Sequence, residues 1–234
     1  MRGTIKLSSE QRRAAIVKAV QRVFAKKGFH GTTTRELADA AGVSEALLFR
    51  HFPNKEALYS AMQRSCCKEQ DQGRFERLKA LQPSASTLVL LVHFLVLRVL
   101  GSRGSCDTDE LSIQHRLMIH SLGEDGEFAR LRLRHLALNW VPRVEDCIKA
   151  AITNGDAVSG SVRPSLAGWL VHDLAVAVKT NLLPKKPVVD YGVSHDRLIE
   201  QTVWFSLRGM GLKEEVIKRH YNPTALALFT SATV

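Results

Sequence analysis

Apolar positions recur every three or four residues along almost the whole chain, the spacing that lines one face of an α-helix. Ile16, Val17, Val20, Val23 and Phe24 make the first such stripe. A capping-box spacing at Ser8 and Gln11 opens it and Gly28 stops it. Thr33 and Glu36 repeat that spacing, so a second helix is expected to start there, bury Leu37, Ala38 and Ala41, and end at Gly42, which tolerates a left-handed stop. Ser44 can cap a third, short helix. Pro53 disfavours helical geometry at Phe52 and so closes it, and Asn54 can cap a fourth from Lys55. Neither short helix could hold itself together in water, so the first must supply their apolar partner.

Beyond this three-helix head the same period predicts a long helix from Asn54 to about Leu81, anchored by Leu58, Met62 and Phe75, weakened at Gly73 and broken at Gln82-Pro83-Ser84. Further helices are expected at about Ala85 to Leu100, Asp107 to Leu122, Glu124 to Asn154, Pro164 to Leu183 and Ser194 to Arg219. Gly101-Ser102-Arg103-Gly104, Gly123, Asn154-Gly155, Pro184 to Pro187 and Gly209-Met210-Gly211 punctuate them. Arg130 to Leu138 alternates basic and apolar residues as a strand would, but no second strand is offered to pair with it, so it is read as helix. Pro142 should kink or restart that helix. The expected class is all-α: a helix-turn-helix domain over residues 1–53 and a helical domain over 54–234.

Two short helices joined by a turn holding a glycine form the unit that places its second helix in the DNA major groove. At about 100° per residue, Leu48 and Phe52 of that helix turn inward toward Val43 and Leu37. Ala46 and Arg50 fall opposite, flanked by Leu47 and Phe49. Such a face is odd in water but suits base reading, because apolar groups meet the thymine methyl and Arg takes guanine with two hydrogen bonds. His51, Lys55 and Thr33 lie at the edges, where phosphates would sit, and Thr34 and Ser44 complete the candidate contact set. Glu45 has two readings, a carboxylate stabilised by the helix dipole or an acceptor for cytosine N4.

The words T-T-R-E-L-A-D-A-A-G-V-S and L-F-R-H-F-P-N-K-E-A-L, the signature of a motif that covers about a quarter of the chain, resemble the helix-turn-helix of the tetracycline-repressor (TetR) family of bacterial transcription regulators. The sequence departs from that pattern at Glu45, where many relatives carry Lys or Arg, at Leu47, where Thr is frequent, and at His51, where Tyr is frequent. The resemblance implies a homodimer on a near-palindromic double-stranded DNA operator, with repression relieved by a small molecule. It also implies that the last two long helices of each subunit pair into a four-helix interface. Leu166, Trp169, Leu170, Leu174, Ala177, Leu198, Thr202 and Phe205 occupy that place, and the segment from Leu166 to Leu183, apolar nearly all round, needs cover on several sides.

Charge sharpens the picture. Of the net charge of +10, residues 1–64 contribute +7, from 12 Lys and Arg against 5 Asp and Glu. That basic surplus favours a polyanion. Met1 to Leu7 could add phosphate contacts or be an idle end. Cys66, Cys67, Cys106 and Cys147 lack metal spacing and read as free thiols of a reducing compartment. The most apolar run, Leu88 to Leu100, is too short to span a bilayer, so a cytoplasmic protein without membrane contact is expected.

Catalytic and metal chemistry find no support. His115 and His120 stand five apart, on different sides of a helix, and neither an H-E-x-x-H, a G-x-S-x-G nor a G-x-G-x-x-G occurs. No catalytic residue, metal or cofactor is assigned. Polar groups within apolar helices are the better lead. His93, Phe94, Leu97, His115, Met118, Ile119 and Trp140 could wall a cavity for an apolar or aromatic effector, or be ordinary core. Two further readings stay open: a DNA-binding dimer without an effector, and a helical enzyme or scaffold with an inert head.

Overall fold

The computed structural model describes residues 8–66, 77–78, 80–101, 108–160 and 162–226. The expected leader Met1 to Leu7, the helix continuation through Gly73 and Phe75, Cys67, Cys106 and the break at Ser102 to Gly104 lie outside the described residues. Within them the fold is all-α. The elements are α1 (Ser9–Lys27), α2 (Thr34–Ala41), α3 (Glu45–His51), α4 (Lys55–Cys66), α5 (Ala85–Leu100), α6 (Thr108–Gly123) and α7 (Glu127–His135), then a π turn (Leu136–Trp140), α8 (Val141–Thr153), α9 (Pro164–Leu182), α10 (His195–Gly209) and α11 (Glu214–His220). Two compact units divide the chain, Met1–Gln70 with Ser112–Leu133, and Asp71–Leu111 with Arg134–Val234.

In the first unit both capping boxes form. Ser8 Oγ accepts from Gln11 N at 3.1 Å while Gln11 answers the Ser8 N–H at 2.9 Å, and Thr33 and Glu36 do the same for α2. Gly42 ends α2 with φ 63°, where a Cβ would be strained. Ile16, Val20, Phe24, Leu37, Leu48, Phe52, Leu58 and Met62 fill the core of the head. Leu117, Met118 and Phe128 of α6 and α7 pack into that same core. Full burial of each large apolar side chain favours the folded state by about 1.5 to 3 kcal/mol, so these residues fix where α3 lies.

The second unit is built around α5. From Leu88 to Val96 every residue of this helix is buried, so it is covered on all sides, with α8, α9, α10 and α11 packed around it. Its last carbonyls, which no helical N–H can reach, are met by side chains: Lys179 Nζ donates to Leu100 O at 3.2 Å, and His195 Nε2 pairs with Gly101 O at 2.7 Å. Two expected continuous helices are interrupted. The stretch from Glu124 to Asn154 is divided by the π turn just before Pro142, because a proline supplies no N–H to the preceding turn and its ring needs room there. The stretch from Ser194 to Arg219 breaks between α10 and α11, where Gly211 adopts φ 89° and bonds Val158 across the antiparallel bridge of Ala157 with Leu212.

Candidate nucleic-acid interface

The placement of α3 follows from its two inward residues. Leu48 and Phe52 are buried against Leu37 and the stripe of α1, and Val43 packs beside them. Ser44 Oγ accepts from Leu47 N at 3.2 Å and so fixes the start of the helix. Arg13 of α1 fixes its end: the guanidinium donates to the His51 carbonyl and lies 4.1 Å over the Phe52 ring. Sequence reading missed Arg13. The available signal was the need of the last α3 carbonyls for a donor, with basic residues on the helix expected to pack against α3.

With those contacts made, the outward face is the expected one. Ala46, Phe49 and Arg50 are exposed, Phe49 at 40%, and Leu47 is half-buried between them. Arg50 makes no hydrogen bond or ion pair among the described residues, so its fork of donors is open to a base edge. Glu45 is engaged: Thr34 Oγ1 donates to its Oε2 at 2.7 Å, tying the first residue of α3 to the first of α2. Thr33 is exposed with its hydroxyl held in the α2 cap. His51 is half-buried, its Nε2 shut off from solvent and without a partner among the described residues. Lys55 sits with its ammonium 4.4 Å over the Phe29 ring, which holds the charge at the N-terminus of α4. Lys27, the last residue of α1, bonds Glu36 of α2 and, with Thr33, pulls that carboxyl down to about 2.

The two short helices with this exposed apolar-plus-guanidinium face lie inside the stretch that the comparisons match. Residues 16–62 match the profile of bacterial regulatory proteins of the tetR family. The head of the chain is thus of the tetR type. It is similar to the HTH-type transcriptional regulator RutR of Escherichia coli strain K12, 41% identical over 68 residues, which is 26% of this chain and 32% of RutR. Over a longer stretch, 66% of this chain and 72% of the relative, it is 28% identical to the nucleoid occlusion factor SlmA of Marinomonas sp. strain MWYL1. In structure it resembles AibR, solved with isovaleryl coenzyme A and operator DNA, with TM-score 0.59, 20% identity, and 83% of this chain and 97% of AibR covered. The match to RutR thus spans about a third of that protein, and the likeness to AibR shows the fold. The matching family is one of regulators, not of enzymes.

The helices to which the TetR resemblance assigns dimerisation are α9 and α10. Leu166 and Leu170 are each 49% exposed and Phe205 is 70% exposed. Ala177 is exposed as well, while Trp169, Leu174 and Leu198 are half-buried. Thr202, expected to face outward with them, is instead buried, its hydroxyl donating to the Leu198 carbonyl at 2.7 Å, because position 202 shares the inward stripe of Ile199, Val203 and Ser206.

The expected effector residues are divided. His93, Phe94, Leu97 and Trp140 belong to the second unit, where His93, Phe94 and Trp140 are buried and Leu97 packs alongside. His115, Met118 and Ile119 belong to the first: Met118 joins the head core, and Ile119 is 38% exposed. Leu117 and Met118 of α6 pack with the head helices, a pairing that local periodicity does not encode. His93 meets the Tyr221 ring edge-on at 5.8 Å, neither ring nitrogen has a partner among the described residues, and burial pulls its pKa down to about 4. Among the described residues no cluster of three His, Cys, Asp or Glu could hold a metal, and no helix is long and apolar enough to cross a membrane.

Proposed function

We propose that this chain is a homodimeric, sequence-specific regulator of transcription that binds a near-palindromic operator through α3 of each subunit and is released from it by a small apolar effector. The observation that carries the reading is the outward face of α3, where Ala46, Phe49 and Arg50 stand exposed on a helix whose opposite side is pinned by Leu48, Phe52 and Arg13. Thr33, Thr34, Ser44, Leu47, His51 and Lys55 flank that face. Thr33 and Lys55 lie at helix N-termini, where anions are favoured.

Exposed Leu166, Leu170 and Phe205 supply the apolar surface that a second copy would cover, since isolated large apolar side chains are common on surfaces but a stripe along two helices marks an interface. Paired subunits would set the two recognition helices one DNA turn apart, roughly 34 to 36 Å. Effector control requires an arrangement that loses this match, with a coupling of about 1 to 3 kcal/mol. Operator DNA must then weaken effector binding by the same factor. Selecting fragments of the source genome with purified protein, then footprinting them, tests the reading. Two protected half-sites about 10 bp apart, centre to centre, support it, and indifference to every fragment at low ionic strength refutes it.

A second reading, a DNA-bound factor that does not control transcription, is supported by the alignment with SlmA over most of that protein's length. Bound fragments scattered far from promoters would favour it.

A further inference from the structure

On the face proposed to read DNA, one carboxylate is left without a counter-charge. Glu45 is exposed, beside exposed Ala46, Phe49 and Arg50, and its Oε2 accepts from the hydroxyl of half-buried Thr34 at 2.7 Å. Among the described residues its Oε1 has no partner, and no Lys, Arg or His pairs with it. Glu36 of α2 is the contrast: Lys27 neutralises it, and the α2 cap engages its other oxygen. The Thr34 hydroxyl is uncharged, so it directs the Glu45 carboxylate without cancelling its charge.

An uncompensated carboxylate on that face works against DNA binding, because every phosphate repels it. It contributes only where it meets a donor. In the major groove guanine shows acceptors at N7 and O6, and thymine an acceptor at O4 beside a methyl group, so neither can pair with a carboxylate. Adenine has a donor at N6 but an acceptor next to it at N7, which repels the same carboxylate. Cytosine alone offers a donor, its N4 amine, with no acceptor beside it on the base. The first residues of a recognition helix are the ones that meet base edges. With one oxygen held and the other open, Glu45 presents a single aimed acceptor there.

We propose that Glu45 reads a cytosine in each operator half-site, at a base pair distinct from the one contacted by Arg50, and that Thr34 is the positioning residue that aims the carboxylate. The inference deepens the operator reading and rests on it.

The test uses the full chain and the DNA fragment it selects, with each base pair of a half-site replaced in turn by the other three and affinity read by fluorescence anisotropy. At one position the unchanged chain should favour cytosine by about fivefold or more. Glu45→Gln keeps the side chain's length and adds a donor, the pair of groups that takes adenine at N6 and N7. It should move the preference at that position from cytosine to adenine and leave the other positions as they were. Thr34→Val keeps the shape and removes the bond, and should cut the cytosine preference by about twofold to tenfold without altering preference elsewhere. Each readout is a ratio between sequences, so any loss of folded protein cancels from it. If Glu45 served only the fold, both variants would weaken binding to every sequence by one common factor, and that result overturns the proposal. So does a half-site in which no preferred base depends on residue 45. An unchanged cytosine preference in Thr34→Val overturns the positioning role of Thr34. These outcomes leave the operator reading standing, whereas selection of no fragment at all refutes that reading and the inference with it.

Discussion

The Thr34 hydroxyl donates to the Glu45 carboxylate at 2.7 Å, joining the first residue of α2 to the first residue of α3. The bond spans the turn at Gly42 and sets the angle at which α3 leaves it. It also occupies one oxygen of the carboxylate that sequence alone left between a structural role and a contact to cytosine. Thr34→Val and Glu45→Ala should each cost about 0.5 to 1 kcal/mol, and the double variant less than their sum, since both remove one bond. Chemical denaturation of the four proteins checks this. Full additivity would show that the bond contributes nothing in solution.

Glu36 links stability to acid. Lys27 and Thr33 hold its folded pKa at about 2, below the ordinary glutamate value of 4.5. Because the folded pKa is depressed, the stabilisation is complete above about pH 5 and is lost as pH falls through 4.5 toward 2. Glu36→Gln should therefore lower the melting temperature at pH 7 and make little difference near pH 2. A gap between the variants that stays constant over that range would contradict the assignment.

His93 acts in the same direction from inside the second unit. Its folded pKa is pulled down to about 4 by burial, against 6.5 in the free side chain. The unfolded chain takes up the proton first, so stability is present above about pH 6.5 and falls between there and pH 4. His93→Phe, which keeps the edge contact with Tyr221, should flatten that fall by on the order of 1 to 3 kcal/mol. Denaturation midpoints at pH 7 and pH 4.5 measure it. An equal loss in both proteins would sink the prediction.

Phe205 carries the test of assembly. At 70% exposed it is the most open aromatic side chain of α10, beside half-buried Leu198. Phe205→Glu should yield a monomer in sedimentation with an unchanged fold, and operator affinity should drop at least tenfold as two half-sites are no longer engaged together. A dimer that survives the charge would place the interface elsewhere.

How much of this was legible in the sequence depended on distance along the chain. Ser8 with Gln11, Thr33 with Glu36 and Gly42 act within one turn, so residue type alone located α1, α2 and the start of α3. Leu48, Phe52 and Arg50 sorted themselves by a fixed angular step. The π turn was half legible: Pro142 announced a fault, but whether a helix kinks, stops or widens depends on what packs around it. Leu117 and Phe128 joining the head core, Arg13 reaching His51, and the inward turn of Thr202 depend on helices meeting far apart in sequence. A periodic stripe says that a face is buried and not by what.

The most direct measurement is the affinity of purified protein for its selected DNA fragment, by fluorescence anisotropy across a salt series, for the unchanged chain, Arg50→Ala and Lys55→Ala. A base-reading Arg50 predicts a loss of about 1 to 3 kcal/mol confined to the selected sequence, with random DNA bound as before. A phosphate-bound Lys55 predicts weaker binding to both, and a salt dependence shallower by about one unit of slope. Equal affinity of Arg50→Ala and the unchanged chain for the selected sequence would contradict base reading by α3.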